Sequence, residues 1–196
     1  MSDQTTFRVM FGALFLSLFA IVGTYRRKAQ SERAADTSVE GARLVVLRLA
    51  GLVIGVYCLL YLALPGVVNW SFVVVPIWAR WLGVVIVLLL FPLVAAAQRA
   101  LGRNVSPTVI THEDHELVTS GPYRWVRNPL YSAGALLLVG LGLIAASWFL
   151  LTVAVLALVA MRHRLMSEEA ELEARFGQAY RDYAARTGRF VPRIRQ

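Results

Sequence analysis

From residue 128 to residue 161 the chain runs 34 residues without a formal charge. At about 1.5 Å per residue, one helix of that length would reach about 51 Å, against about 30 Å of bilayer hydrocarbon. Two shorter helices fit better, over residues 130–146 and 148–161 and joined near Ser147, although that turn contains neither Gly nor Pro. A single steeply tilted helix is the alternative.

Three more apolar runs precede this one. Residues 9–25 carry no charge, with Arg8 before them and Arg26, Arg27 and Lys28 after. A cleavable leader would carry its cations ahead of the apolar stretch, so the pattern reads as a retained anchor with its N-terminus outside. Residues 44–64 form the second run, with Arg48 close enough to one end to snorkel, and Pro65-Gly66 stops it. The third covers residues 81–98 and holds Pro92, which predicts a kink. Residues 65–79 are uncharged but broken by Pro65, Gly66, Asn69 and Pro76, and Trp70, Trp78 and Trp81 suit an interfacial belt there.

Composition supports a membrane setting. Hydrophobic residues make up 58% against 16% charged, and mean hydropathy is +0.60, which leaves too little polar surface to cover a soluble core. The net charge of +8 comes from 19 Arg and one Lys lying between apolar runs, which points to anionic lipid, with no nucleic acid partner expected. The single Cys excludes an internal disulfide, and Cys58 sits in an apolar run as a buried, inert thiol would.

Charge also fixes the number of passes. Residues 26–43 carry five Lys/Arg, residues 99–127 carry four, and the tail from Arg162 carries eight; residues 65–79 and the Ser147 turn carry none. Five spans put every basic connection and the C-terminus on the cytoplasmic side, whereas four would leave the eight arginines of the tail outside. The fold expected is therefore all-α: a polytopic membrane bundle of about five transmembrane helices with a C-terminal amphipathic cytoplasmic helix. Residues 1–98 supply three N-terminal spans, and residues 99–196 a second unit of helical hairpin and tail. No period of 20–50 residues repeats.

Polar chemistry is to be sought in the connection and the tail. Thr119-Ser120-Gly121-Pro122 reads as a turn and residues 123–127 as an amphipathic piece. Asn128-Pro129 then opens a membrane helix whose first N–H groups can hold a carboxylate or phosphate. The same features would also suit an interfacial anchor, with Arg on lipid phosphates. After the hairpin, Arg164 and Glu168 are spaced to pair on one helix face. The acids Glu168 and Glu169 lie within two turns of the hydrocarbon, where acids are usually partnered or functional, although two acids simply opening a solvated helix fit as well. The stripe Leu172, Phe176, Tyr180 and Tyr183 continues that helix as an amphipathic one, with Gly188 as its stop. His112 and His115 are three apart where a zincin helix needs four, so no metal site is expected; no phosphate-cradling Gly loop, nucleophile elbow or dinucleotide fingerprint occurs.

Four blocks in order resemble the isoprenylcysteine carboxyl methyltransferase family and the related membrane phospholipid methyltransferases. They are residues 115–123 (HELVTSGPY), residues 127–131 (RNPLY), Glu168-Glu169, and Phe176-Gly177 with Tyr180 and Tyr183. The resemblance covers residues 99–192, about half the chain, and the N-terminal spans match only in being apolar. It implies an integral membrane enzyme that moves methyl from S-adenosylmethionine to a lipophilic acceptor entering from the bilayer. Carried over by position, His115, Glu116, Leu117, Val118, Tyr123, Asn128, Pro129, Leu130 and Tyr131 would line the cofactor pocket. Glu168 would bind the cofactor with Glu169 in reserve, and Arg164 would face the acidic group of the substrate; Arg164 and Glu168 are the implied catalytic pair. The family commonly has His where this chain has Asn128, which keeps a donor and an acceptor but cannot carry charge.

Two other functions fit the same residues. A non-catalytic membrane protein would use its basic cytoplasmic face to hold anionic lipid or a partner, with no response to the cofactor. A membrane reductase would need a nicotinamide cofactor, against the missing phosphate-binding signal.

Overall fold

The computed structural model describes residues 3–31, 41–101 and 117–193, and within them every side chain except those of residues 26–31, 41–48, 162–164 and 167. Six α-helices make up most of the described chain: α1 (Asp3–Ser31), α2 (Gly41–Ala63), α3 (Ile77–Leu101), α4 (Pro129–Ala145), α5 (Trp148–Phe176) and α6 (Gln178–Arg186). Short 3₁₀ turns at Pro65–Val67, Asn69–Ser71 and Gly121–Arg124 join them, and the described residues form two isolated β-bridges but no strand.

Two stretches, Asp3–Tyr25 and Ile77–Leu101, are long and apolar enough to cross a membrane; Leu49–Ala63, Pro129–Ala145 and Trp148–Met161 are shorter apolar helices. Their outward faces are greasy. Leu52, Val56 and Leu59 on α2, Leu88 and Leu89 on α3, and Val155, Leu156 and Val159 on α5 are all exposed. Water does not favour so large an apolar surface, and lipid does. Pro92 stands inside α3, which continues past it to Leu101.

The helices meet at two ends. At one lie the start of α1, the end of α2, residues 65–76, the start of α3 and the α4–α5 turn. Arg80 ties them together: its Nε and Nη2 donate to Ile144 O (3.0 and 2.7 Å), Nη2 also donates to Gln4 Oε1 (3.2 Å), and the guanidinium sits 4.0 Å over the Phe7 ring. At the other end Arg99 Nε donates to Tyr25 Oη (3.2 Å), and there the chain enters α4 and leaves α5. The charge-free residues 65–76 and the Ser147 turn thus lie at the Arg80 end, and Arg99 with the segment holding Arg124 and Arg127 at the other.

The hairpin breaks at Ser147, as its length requires, by a device with no local sequence signal. Ala146 takes the left-handed conformation (φ 51°). Its N–H bonds Leu143 O (3.1 Å) and the Ser147 N–H bonds Gly142 O (2.9 Å), the paired closure usually made by glycine. Ser147 then caps α5 by accepting from Leu150 N. Tertiary contacts hold the strained Ala146: Val73 N–H donates to Ala146 O (2.9 Å), and the buried Tyr57 hydroxyl bonds Ser71 (2.5 Å) and Ser147 (2.6 Å).

Helices α3 and α4 pack through glycines. A Cβ on Gly83 would lie 2.6 Å from Gly140 O and 2.9 Å from Leu143 Cβ, and one on Gly140 would lie 2.7 Å from Val87 Cγ2. Small residues allow this approach, the usual basis of helix association in lipid. Gly83→Ala should cost about 1–3 kcal/mol, because the obstructing carbonyl is backbone and cannot swing aside. In thermal melts in detergent it should lower the transition, whereas Gly51→Ala, with nothing within 4 Å of the added carbon, should not.

The aromatic stripe departs from expectation. It is not one helix ending at Gly188. The chain turns sharply at Gly177 (φ 54°, ψ −123°), a conformation favouring glycine, and α6 ends at Arg186. The turn separates Leu172 and Phe176 on α5 from Tyr180 and Tyr183 on α6, which are both buried.

Candidate active site

The site is built where α4 begins and α5 emerges. Ahead of α4, the Gly121–Arg124 turn opens with Gly121 at φ 59° and packs on the end of α3, where an added Cβ would lie 3.0 Å from Ala100 Cβ. Pro122 and Tyr123 are buried, whereas Arg124 stacks 3.9 Å over the exposed Trp125. Asn128 occupies the N-cap position of α4 and Pro129 its first turn, but the Asn128 side chain does not cap the helix. Its Nδ2 instead donates to Glu169 Oε1 (3.5 Å) and Arg189 O (3.3 Å).

One turn into α4, the Tyr131 hydroxyl donates to Glu168 Oε1 at 2.7 Å. Both side chains are half-buried, so a carboxylate on α5 lies against the N-terminal turn of α4. Glu169 faces a different set of partners. It pairs with Arg127 (Nε to Oε1, 3.2 Å) and with Arg189, whose Nη2 reaches Oε2.

Arg127 also fastens the tail. Its Nη1 donates to Ala184 O (2.8 Å) and Thr187 O (2.7 Å), and its backbone N–H to Gly188 O (2.8 Å). Gly188 N–H returns a bond to Trp125 O (3.0 Å), Ser132 Oγ donates to Phe190 O (2.8 Å), and Tyr183 Oη donates to Tyr123 O (2.7 Å). A Cβ on Gly188 would overlap Val191 O, so this tight strap needs glycine. Residues 184–190 therefore lie across the entrance to α4.

Three phenols under the strap resist ionisation. Burial pushes Tyr183 up to about 12; burial and the Glu169 carboxylate push Tyr180 up to about 12; burial, with Tyr183 beside it, raises Tyr123 further. An unfolded phenol ionises near 10, so the stability these groups contribute is fully present below that pH and is lost as pH rises through about 12. In an alkaline titration, phenolate absorbance should show a late phase accompanied by loss of the α6 fold. Tyr180→Phe and Tyr183→Phe should each shrink that phase, and an unchanged phase contradicts the assignment.

Of the residues singled out in the sequence, Asn128, Tyr131, Glu168 and Glu169 come together. Pro129 is buried beside them and Leu130 partly so; Leu117 and Val118 lead into the Gly121 turn, and the buried Tyr123 lies under α6. His115 and Glu116, with the rest of the 112–116 segment, lie outside the described residues. Arg164 belongs to α5, but its side chain is not among those described, so its pairing with Glu168 is not seen. Sequence reasoning missed Ser132, Thr187 and Arg189, and gave Arg127 no role although it opens the 127–131 block. The available signal was Glu169 itself, since an acid this close to hydrocarbon calls for a cation.

Comparison with known proteins matches residues 78–179, from α3 into α6, to the family model for phospholipid methyltransferase. The nickel-cobalt-cadmium resistance protein NccN of Alcaligenes xylosoxydans xylosoxydans is 39% identical over 79 residues, 40% of this chain and 37% of that protein. The cobalt-zinc-cadmium resistance protein CzcN of Cupriavidus metallidurans is 35% identical over 82 residues, 42% of this chain and 38% of that protein. The chain thus spans under two fifths of the length of these curated relatives. Among solved structures, the eukaryotic intramembrane Ras methyltransferase ICMT (isoprenylcysteine carboxyl methyltransferase) superposes with a TM-score of 0.60, over 94% of this chain and 67% of that one, at 22% identity. That likeness is one of fold.

Proposed function

The chain belongs to the phospholipid methyltransferase family, and from that premise we propose that it transfers a methyl group from S-adenosylmethionine to a lipophilic acceptor arriving from the bilayer. The observation carrying the proposal is the Tyr131–Glu168 bond, which holds an acid against the N-terminal turn of α4. The residues suit this cofactor. A ligand combining a sulfonium, an ammonium and a carboxylate needs an acid and backbone donors together, and Glu168 and a helix start without a side-chain cap supply them.

When bound, S-adenosylmethionine supplies a methyl on positive sulfur; the bond from acceptor to carbon forms as the carbon–sulfur bond breaks and its electron pair returns to sulfur. The protein's part is alignment and exclusion of water. Glu168 holds the cationic portion of the cofactor and Tyr131 fixes the rotamer of Glu168. The first turn of α4 takes the carboxylate, with Asn128, Pro129 and Leu130 forming its wall. By the family resemblance, His115, Glu116, Leu117, Val118 and Tyr123 are assigned to cofactor binding and Arg164 to an acidic group on the acceptor. Glu169 anchors the strap through Arg127 and Arg189. A carboxylate acceptor would react already ionised, whereas an amine would first have to lose a proton to a base.

The bundle is proposed to cross the membrane five times, with its N-terminus outside and the site and C-terminus in the cytoplasm. The position of Arg99, Arg124 and Arg127 at the end opposite the charge-free turns supports that orientation. Anionic lipids are the proposed partners of the basic face.

The test incubates purified protein in lipid with radiolabelled methyl donor and total membrane lipid. Label should enter the lipid phase and identify the acceptor. Well-folded protein that binds no S-adenosylmethionine overturns the proposal.

A further inference from the structure

At the Arg80 end of the bundle, remote from Glu168, a cavity of about 300 Å³ is lined by Gln4, Arg8, Tyr61, Pro65 and Phe72. We infer that it is a second, non-catalytic binding site, for the headgroup of an anionic phospholipid. Nothing in the proposed methyl transfer uses it.

Its walls are chemically two-sided. Arg8, half-buried, brings a cation that has no hydrogen-bond or ion-pair partner among the described residues. Gln4 spends its carbonyl oxygen on Arg80 (3.2 Å), which leaves the amide N–H₂ as a donor. Tyr61 contributes a side chain only 2% exposed, whose hydroxyl lies within the influence of Arg8 and Arg80 but makes no well-formed hydrogen bond among the described residues. A ligand oxygen reached by a modest shift would give that hydroxyl a bond of good geometry. Pro65 and Phe72 make the other wall apolar.

Charge and size select the occupant. The space is about ten times the share of liquid volume that one water takes, so one ordered water or small ion leaves it mostly empty. A cation with two neutral polar groups suits a phosphate diester. The surroundings suit the attached chains: Val67, Trp70, Val74, Ile77 and Trp78 on the adjoining segment are all exposed, and tryptophans of this kind mark headgroup depth. A free phosphate has no use for that apolar margin.

The experiment uses the full chain in neutral detergent, titrated with short-chain phosphatidylglycerol and, separately, with inorganic phosphate. Native mass spectrometry counts retained lipid, and melting curves give affinity. Wild type should retain phosphatidylglycerol and be stabilised by it, with little response to inorganic phosphate. Arg8→Gln should weaken the lipid about tenfold or more, whereas Arg8→Lys, which restores charge, should keep it within about threefold. Tyr61→Phe should weaken the lipid without lowering the melting point of lipid-free protein, an outcome that a purely structural tyrosine would not give. Lipid binding unchanged in Arg8→Gln, or inorganic phosphate stabilising as well as the lipid does, overturns the inference. S-adenosylmethionine binding, measured on the same samples, should be equal in all variants, so failure here is distinguishable from failure of the methyl-transfer proposal.

Discussion

Glu168→Gln is expected to cut methyl transfer by about 30-fold or more at subsaturating cofactor while leaving the bundle folded. Glutamine keeps the shape of the side chain and an oxygen that can accept from Tyr131 Oη, so the 2.7 Å bond between α4 and α5 survives in kind. The negative charge does not survive. Removing one member of a desolvated charge pair in a binding site costs about 2–5 kcal/mol, a loss of affinity between about 30-fold and a few thousandfold. Stability should change far less than affinity, since the half-buried bond to Tyr131 weakens without being lost. Tyr131→Phe separates charge from orientation: it leaves the carboxylate but removes the hydroxyl that orients it, and should cost about tenfold. Calorimetric titration with S-adenosylhomocysteine, beside the transfer assay, tests both. Glu168→Gln protein that binds the cofactor product as tightly as wild type would remove Glu168 from the site.

The membrane helices were legible because each is built on a long apolar run bounded by charge or proline, and that pattern is set by the solvent, whatever the tertiary contacts. The hairpin break shows the boundary of that legibility. Length required a turn between residues 128 and 161, but its position depends on Ala146 accepting a left-handed conformation. That in turn depends on Tyr57 and Ser71, hydroxyls 90 and 76 residues away from Ser147. No local pattern encodes such a partnership. The Gly177 break was locally encoded, since a glycine interrupts an amphipathic stripe, and a helical period read through it concealed the change of direction. At the site, the resemblance singled out Asn128, Tyr131, Glu168 and Glu169, which converge. Arg127, although it opens the 127–131 block, and Arg189 were given no role because arginine at a membrane boundary is explained by topology alone. Their function shows only once the tail is seen folded back across α4.

Arg127→Ala should release that tail and with it the activity. The guanidinium joins three elements through Glu169 Oε1, Ala184 O and Thr187 O, and no other described side chain bonds all three. Charged hydrogen bonds are worth about 1.5–3 kcal/mol each, but bonds from one group do not add, and breaking a buried pair costs about 3–5 kcal/mol in all. Here the side chains of Arg127 and Glu169 are each 13% exposed and Arg189 stays on the carboxylate, so the expected loss is smaller, about 2–4 kcal/mol. It falls on the strap alone. The cores of α1, α3 and α4 lie elsewhere, so amides of α6 should exchange faster by about 30-fold to several hundredfold while those of α3 keep their protection. Methyl transfer should fall at least about tenfold as water enters over Glu168. Arg127→Lys should rescue the ion pair with Glu169 but only part of the activity, because one ammonium cannot reproduce the fork that reaches both carbonyls and the carboxylate. Gly83→Ala supplies the contrast: it should lower the melting of the whole bundle without loosening α6 ahead of the rest. If Arg127→Ala exposed α3 and α6 together, the strap would be part of the core, and its proposed role as a separable cover for the site would be lost.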